Sequence, residues 1–155
     1  MNKVILLVED NPDDEELTLR AMRHSVPNTL VINAYDGIEA LDFLFGLGEY
    51  AGRGASSNPH LILLDLNLPT VSGLEVLRRI RKDARTRTIP VVMLTSSGQE
   101  QDILNAYCQG ANGYLRKQMD YGGFCQDIRE VVAYWLNLNE VPPFKAGRRL
   151  PAARL

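Results

Sequence analysis

The order of apolar runs in this chain predicts an α/β fold, a doubly wound five-stranded parallel sheet with helices on both faces. Three observations carry that expectation. Five short strand-like runs alternate with five helix-period segments between Lys3 and Leu138. The runs Val4-Ile5-Leu6-Leu7-Val8, Leu61-Ile62-Leu63-Leu64 and Val91-Val92-Met93-Leu94 are apolar at every position instead of alternating, which is the pattern of strands covered on both faces. Polar or ionisable residues stand at the carboxyl ends of four runs: Glu9-Asp10, Asp65, Thr95-Ser96 and Arg116-Lys117. In doubly wound sheets that edge is where ligands bind.

The elements follow in order. A strand is expected over Lys3–Val8, then a helix over Pro12–Ser25 with Asn11 as N-cap and Pro12 in the first helical position. A second strand covers Leu30–Ala34. The second helix, Gly37 to Phe45, carries Ala40, Leu41, Leu44 and Phe45 at helical spacing. From Gly46 to Pro59 the composition turns to Gly, Ser, Ala and Asn, which marks a long loop. The third strand, Leu61–Asp65, leads through a Pro69-to-Gly73 turn into a helix over Leu74–Asp83. Pro90 precedes a fourth strand at Val91–Leu94, and a helix over Gln99–Gln109 is ended by Gly110. The fifth strand is Gly113–Arg116. The last helix, Gly123 to Leu138, stops before Pro142-Pro143, which cannot continue it. Its core face is expected to be Phe124, Ile128, Val131, Val132 and Trp135, with Tyr134, Leu136 and Leu138 outside it. Ile103, Leu104 and Tyr107 on the fourth helix add further apolar surface, more than one core needs, which suggests a partner face.

Residues 1–140 are expected to form one domain, followed by a basic, flexible tail over 141–155 that carries Lys145, Arg148, Arg149 and Arg154 and no acid. No general basic patch appears, so nucleic acid is not an expected partner. No apolar run approaches the ~20 residues needed to span a bilayer, and no signal peptide opens the chain, so the expectation is a cytoplasmic protein without membrane contact. Cys108 and Cys125 are too few for a disulfide framework or a zinc site and are expected to be buried thiols. His24 and His60 receive no role. Asp13-Asp14-Glu15-Glu16 reads as the acidic first turn of a helix, favoured by its dipole.

The strand-end residues carry chemistry. An aspartate at the mouth of a buried strand is costly unless something uses it. Three carboxylates at adjacent strand ends repel one another, and a hard divalent cation with oxygen ligands relieves this, as Mg²⁺ would. Phosphoryl transfer depends on positioning and charge stabilisation, which a metal and a lysine supply. Thr95 can hydrogen-bond a phosphoryl oxygen, and the product would be an acyl phosphate on Asp65.

Val8-Glu9-Asp10-Asn11, Leu64-Asp65-Leu66-Asn67-Leu68-Pro69 with Gly73, Leu94-Thr95-Ser96 and Gly113-Tyr114-Leu115-Arg116-Lys117 together resemble the receiver domain of bacterial response regulators. The resemblance spans Lys3 to Leu138 and implies a flavodoxin-like strand order 2-1-3-4-5. It implies Asp65 as phosphoacceptor, Asp10 binding Mg²⁺ directly, Glu9 binding it through water, and the backbone carbonyl of Asn67 as a further metal ligand. Thr95 and Lys117 are implied to hold the phosphoryl group, and Thr95 with Tyr114 to form the switch. Such a protein is a phosphoacceptor that catalyses its own phosphorylation and dephosphorylation, not an enzyme in the ordinary sense. A histidine kinase is its implied donor, meeting it near the first helix. No DNA-binding domain fits after Leu138, so output is expected through protein contact or phosphorelay. The loop over Gly46–Pro59 and the Tyr134-Trp135-Leu136 ending resemble single-domain regulators paired with bacterial phytochrome-type kinases. Those relatives imply a homodimer through helix 4, strand 5 and helix 5.

One position departs from the family pattern. Gln118 stands where proline, joined by a cis peptide, usually follows the lysine. A cis bond before a non-proline costs about 2.5–4 kcal/mol, so either a trans bond with a reshaped Gln118–Tyr121 loop or a strained cis bond is expected. Two other classes fit parts of the pattern. An aspartate-nucleophile phosphatase usually has a second aspartate two residues after the first, where Asn67 stands. A flavodoxin-like cofactor carrier would need a phosphate-cradling first turn, where this chain has Glu9-Asp10-Asn11-Pro12-Asp13-Asp14.

Overall fold

The computed structural model describes residues 3–52 and 58–143. Its strands are β1 (Lys3–Val8), β2 (Thr29–Ala34), β3 (Leu61–Leu64), β4 (Val91–Thr95) and β5 (Gly113–Arg116). Its helices are α1 (Pro12–Ser25), α2 (Gly37–Phe45), α3 (Gly73–Lys82), α4 (Glu100–Cys108) and α5 (Tyr121–Ala133), with a 3-10 turn at Gly48–Tyr50 and a π turn at Tyr134–Leu138. The five strands form one sheet in the order β2-β1-β3-β4-β5, and every adjacent pair is parallel.

Strand parity divides the interior in two. Successive strand residues point to opposite faces, so Leu6, Val8, Ile62, Leu64, Val91 and Met93 pack with residues of α2, α3 and α4. Ile5, Leu7, Leu61, Leu63, Val92 and Leu94 pack with residues of α1 and α5. All twelve are buried, which is why these strands read as unbroken apolar runs.

Local chemistry fixes the helix starts. The Asn11 side chain accepts the N–H groups of Asp13 and Asp14 at 2.9 and 3.2 Å. Asp36, Ser72 and Asp120 cap α2, α3 and α5 in the same way. In the turn ahead of α3, Thr70 has φ 67°, a left-handed conformation that a β-branched residue adopts at a cost.

Several expectations are corrected. The π turn at Tyr134–Leu138 shifts the register at the end of the last helix. Leu136 is therefore buried, at 4% exposure, and Trp135 only partly so. The bond that closes this turn runs from the Asn139 N–H to the Tyr134 carbonyl at 2.8 Å, the wider i to i+5 spacing. Cys108 is exposed because α4 is short and buries only Ala106, and Cys125, on α5, is half-buried, so neither is the fully buried thiol expected. His60 has a structural role: its ring Nδ1 accepts the Val4 N–H at 3.0 Å while its backbone N–H donates to the Val4 carbonyl at 2.7 Å. The expected tail lies, from residue 144 onward, outside the described residues, as do residues 53–57 of the long loop.

Candidate functional site

Asp65 follows β3 and is held by its own backbone and by the turn beyond it. Its N–H donates to the Val8 carbonyl at 3.1 Å, and its Oδ1 accepts the Asn67 N–H at 3.1 Å. The turn closes tightly: a Cβ on Gly73 would stand 1.9 Å from the Asp65 carbonyl oxygen, so only glycine fits there. The Asp65 carboxylate is nearly buried, at 6% exposure, yet faces other charged groups instead of hydrocarbon.

Lys117 arrives from the end of β5, its N–H donating to the Thr95 carbonyl at 2.8 Å. Its ammonium donates to Glu9 Oε2 at 2.5 Å, Asp14 Oδ2 at 2.9 Å and Asp65 Oδ2 at 2.9 Å. The described residues contain no cis peptide bond, so the Lys117–Gln118 bond is trans and the strained cis alternative is excluded. The lysine nevertheless reaches Asp65. Burial pulls its pKa down, but its hydrogen bonds to Glu9 and Asp65 outweigh this, and the net shift is upward; the ammonium stays charged.

Glu9, at the end of β1, is buried at 2% exposure. One carboxylate oxygen takes Lys117 and the other accepts the Asn11 N–H at 3.0 Å. It therefore both supports the start of α1 and lines the site. Burial raises its pKa to about 7 despite the opposing pull of Lys117. Asp10, next in sequence, is exposed. Carboxylate oxygens of Glu9, Asp10 and Asp65 lie within 4.8 Å of one another. Around a six-coordinate Mg²⁺, ligand oxygens at about 2.0–2.1 Å from the ion stand roughly 3–4 Å apart, so a slight closing of this set fits a divalent cation. Asp65, Glu9, Asp10 and Lys117 thus meet at the carboxyl edge of the sheet.

Thr95 ends β4 fully buried, and its Oγ1 accepts the Ser97 N–H at 3.3 Å, which leaves its O–H available to donate. Tyr114, on β5, donates its hydroxyl to the Ser97 carbonyl at 2.8 Å, and burial raises its pKa. Ser97 itself donates Oγ–H to Asp102 Oδ2 at 2.5 Å. The loop after β4 is thereby tied to Thr95, to Tyr114 and to α4.

The sequence reading missed Asp14. Among four consecutive acids its position offers a sufficient helix-dipole explanation, and only the approach of Lys117 from the far end of the chain distinguishes it.

The sequence matches the family model for the response regulator receiver domain over residues 5–129. It is 40% identical over 139 residues to the probable methanogenesis regulatory protein FilR2 of Methanothrix harundinacea, across 90% of this chain and 87% of that one. The structure of the phosphorylated cyanobacterial phytochrome response regulator RcpA aligns with a TM-score of 0.87 at 38% identity, over 92% of this chain and 100% of the other. The Mn²⁺-bound form of the response regulator Rcp1 gives 0.84 at 37% identity, over 91% and 99%. Rcp1 is a Synechocystis protein.

Proposed function

Because this chain belongs to the response regulator receiver-domain family, we propose that Asp65 accepts a phosphoryl group from a histidine kinase and that Glu9, Asp10, Asn67, Thr95 and Lys117 assist with Mg²⁺. One observation supports this above the others: a nearly buried Asp65 shares a single lysine with Glu9 and has carboxylate oxygens of Glu9 and Asp10 within 4.8 Å of its own.

In this reading an Asp65 carboxylate oxygen attacks the phosphorus of a phosphohistidine. The P–N bond breaks, the imidazole leaves with its electron pair, and an acyl phosphate forms. Glu9, Asp10, Asp65 and the Asn67 carbonyl would hold a divalent cation, which would supply charge neutralisation for the incoming group. Lys117 keeps one donor directed at Asp65 and accompanies the developing charge. The Thr95 hydroxyl donates to a phosphoryl oxygen, drawing the Ser97 loop with it. Tyr114, hydrogen-bonded to that loop, shifts the balance between two arrangements of α4, β5 and α5.

The likeness to a phytochrome response regulator supports a phytochrome-type kinase as partner. Leu104 and Tyr107 on α4 are about half exposed and support a homodimer through α4, β5 and α5. No helix among the described residues is long and apolar enough to cross a membrane. Residues 1–140 then act as the receiver unit, with residues 141–155 as an appended basic segment.

The test is labelling with acetyl phosphate, with and without Mg²⁺, for wild type and Asp65→Asn. Labelling that requires Mg²⁺ and vanishes in the variant is expected. Labelling that persists in either control overturns the assignment. For the dimer, the mass in solution is measured before and after phosphorylation; a monomer in both states counts against it.

A further inference from the structure

Lys117 has three ammonium protons and three carboxylate acceptors, each from a different element: Glu9 after β1, Asp14 in the first turn of α1, and Asp65 after β3. A lysine side chain carries about 2 kcal/mol of rotamer entropy, and its ammonium reaches Asp65 productively only if that freedom is restrained. The backbone beyond it offers little restraint. Gln118, Met119 and Asp120 are all exposed, and the Gln118 side chain turns away to donate to Asp127 Oδ2 at 2.5 Å. Of the three acceptors, Glu9 and Asp65 belong to the carboxylate set that fits a cation. Asp14 is outside that set, so it remains free to hold the ammonium when the other two turn to a metal. Asp14 is itself well placed for this, because Asn11 caps its N–H at 3.2 Å and fixes the first turn of α1 against the strand ends.

We infer that Asp14 is a positioning residue for Lys117, the anchor that keeps the ammonium beside Asp65 once Glu9 has turned to the cation. The inference rests on Asp65 being the phosphoacceptor, and it adds a requirement that this assignment does not contain.

The experiment is a double-mutant cycle on the initial rate of acetyl phosphate labelling at saturating Mg²⁺, using Asp14→Ala, Lys117→Ala and the double variant. Wild type and Asp65→Asn serve as controls, and folding is checked by circular dichroism. A hydrogen bond between charged groups is worth enough for Asp14→Ala to slow labelling about tenfold. In the Lys117→Ala background the same change is expected to have no effect, since its target is gone. Asp14→Asn keeps an acceptor oxygen and is expected to fall between wild type and Asp14→Ala. An equal fold-loss with and without Lys117 overturns the inference, as does an unchanged or faster rate in Asp14→Ala. Loss of labelling in Asp65→Asn, whatever Asp14 does, keeps the phosphoacceptor assignment separate from this result.

Discussion

The Tyr114 hydroxyl donates to the Ser97 carbonyl oxygen at 2.8 Å, which ties the middle of β5 to the loop leaving β4. Since Ser97 also donates its N–H to the Thr95 hydroxyl oxygen and its own hydroxyl to Asp102, one residue joins a buried threonine, an aromatic side chain and a helix. Tyr114→Phe removes one of these ties and leaves the Ser97 carbonyl without its partner. The expected result is a loss of about 1 kcal/mol of stability, with faster amide exchange confined to the loop after β4 and the start of α4. Hydrogen exchange measured by mass spectrometry reads this directly. Uniform acceleration over the whole chain would show that Tyr114 supports the fold generally and not this loop.

Cation binding at Glu9, Asp10 and Asp65 should depend on pH. Burial keeps a proton on Glu9 up to about pH 7 in the metal-free protein. A cation must displace that proton, so its apparent affinity rises with pH, by at most about tenfold per unit, and levels off above about pH 7. Mn²⁺ titrations followed by electron paramagnetic resonance between pH 5.5 and 8.5 test this. Glu9→Gln should bind more weakly and lose the dependence. A wild-type affinity that is flat across the range would refute it.

Gly73 bears on the site through its missing side chain. A Cβ there would stand 1.9 Å from the Asp65 carbonyl oxygen and 2.8 Å from Leu66 Cα, both backbone atoms that cannot step aside. Gly73→Ala is expected to cost about 2–3 kcal/mol and to displace the Asp65 turn. Thermal melting and acetyl phosphate labelling should both fall. A variant with wild-type melting and labelling would mean that the turn yields more easily than its geometry implies.

Arg81 is a structural staple far from the phosphoryl chemistry. Its guanidinium donates to the carbonyls of Gly110, Arg87 and Ile89 and to Asn112 Oδ1, at 2.8–3.0 Å. Asn112 Oδ1 in turn accepts the Val91 N–H at 2.8 Å, so the end of α3, the start of β4 and the turn before β5 share one side chain. Arg81→Met should cost about 2–4 kcal/mol in urea unfolding by stranding these acceptors. Arg81→Lys should recover only part, because an ammonium cannot reproduce the planar fork. Full recovery by lysine would contradict this account.

How much of this was legible in the sequence differs by residue. β1, β3 and β4 could be read because a sheet covered on both faces demands apolar residues on consecutive positions, and Leu61 to Leu64 supply them without interruption. Asp65, Glu9 and Thr95 could be read because each breaks such a run at the same edge, and Lys117 because it closes the fifth strand-like run there. Asp14 could not, since its carboxylate gains meaning only from Lys117, brought to it by the placement of β5 in the sheet. Leu136 and Trp135 exchange places because a π turn leaves no mark in hydrophobic spacing until the helix has formed. The exposure of Cys108 is hidden for a simpler reason: its apolar neighbours on α4, such as Leu104 and Tyr107, are themselves exposed.

The ammonium of Lys3, the first residue of β1, donates to the Leu136 carbonyl in the closing π turn. β1 runs from Lys3 toward Glu9, so this clasp sits at the edge of the sheet opposite Asp65. Both ends of the folded body therefore leave from one side, and the phosphoryl chemistry occurs on the other. For anyone building reporters, a fluorophore pair flanking Lys3 and Leu138 would begin close together and on the side of the sheet away from Asp65. Such a pair would sense whether the clasp opens while leaving the approach to Asp65 clear.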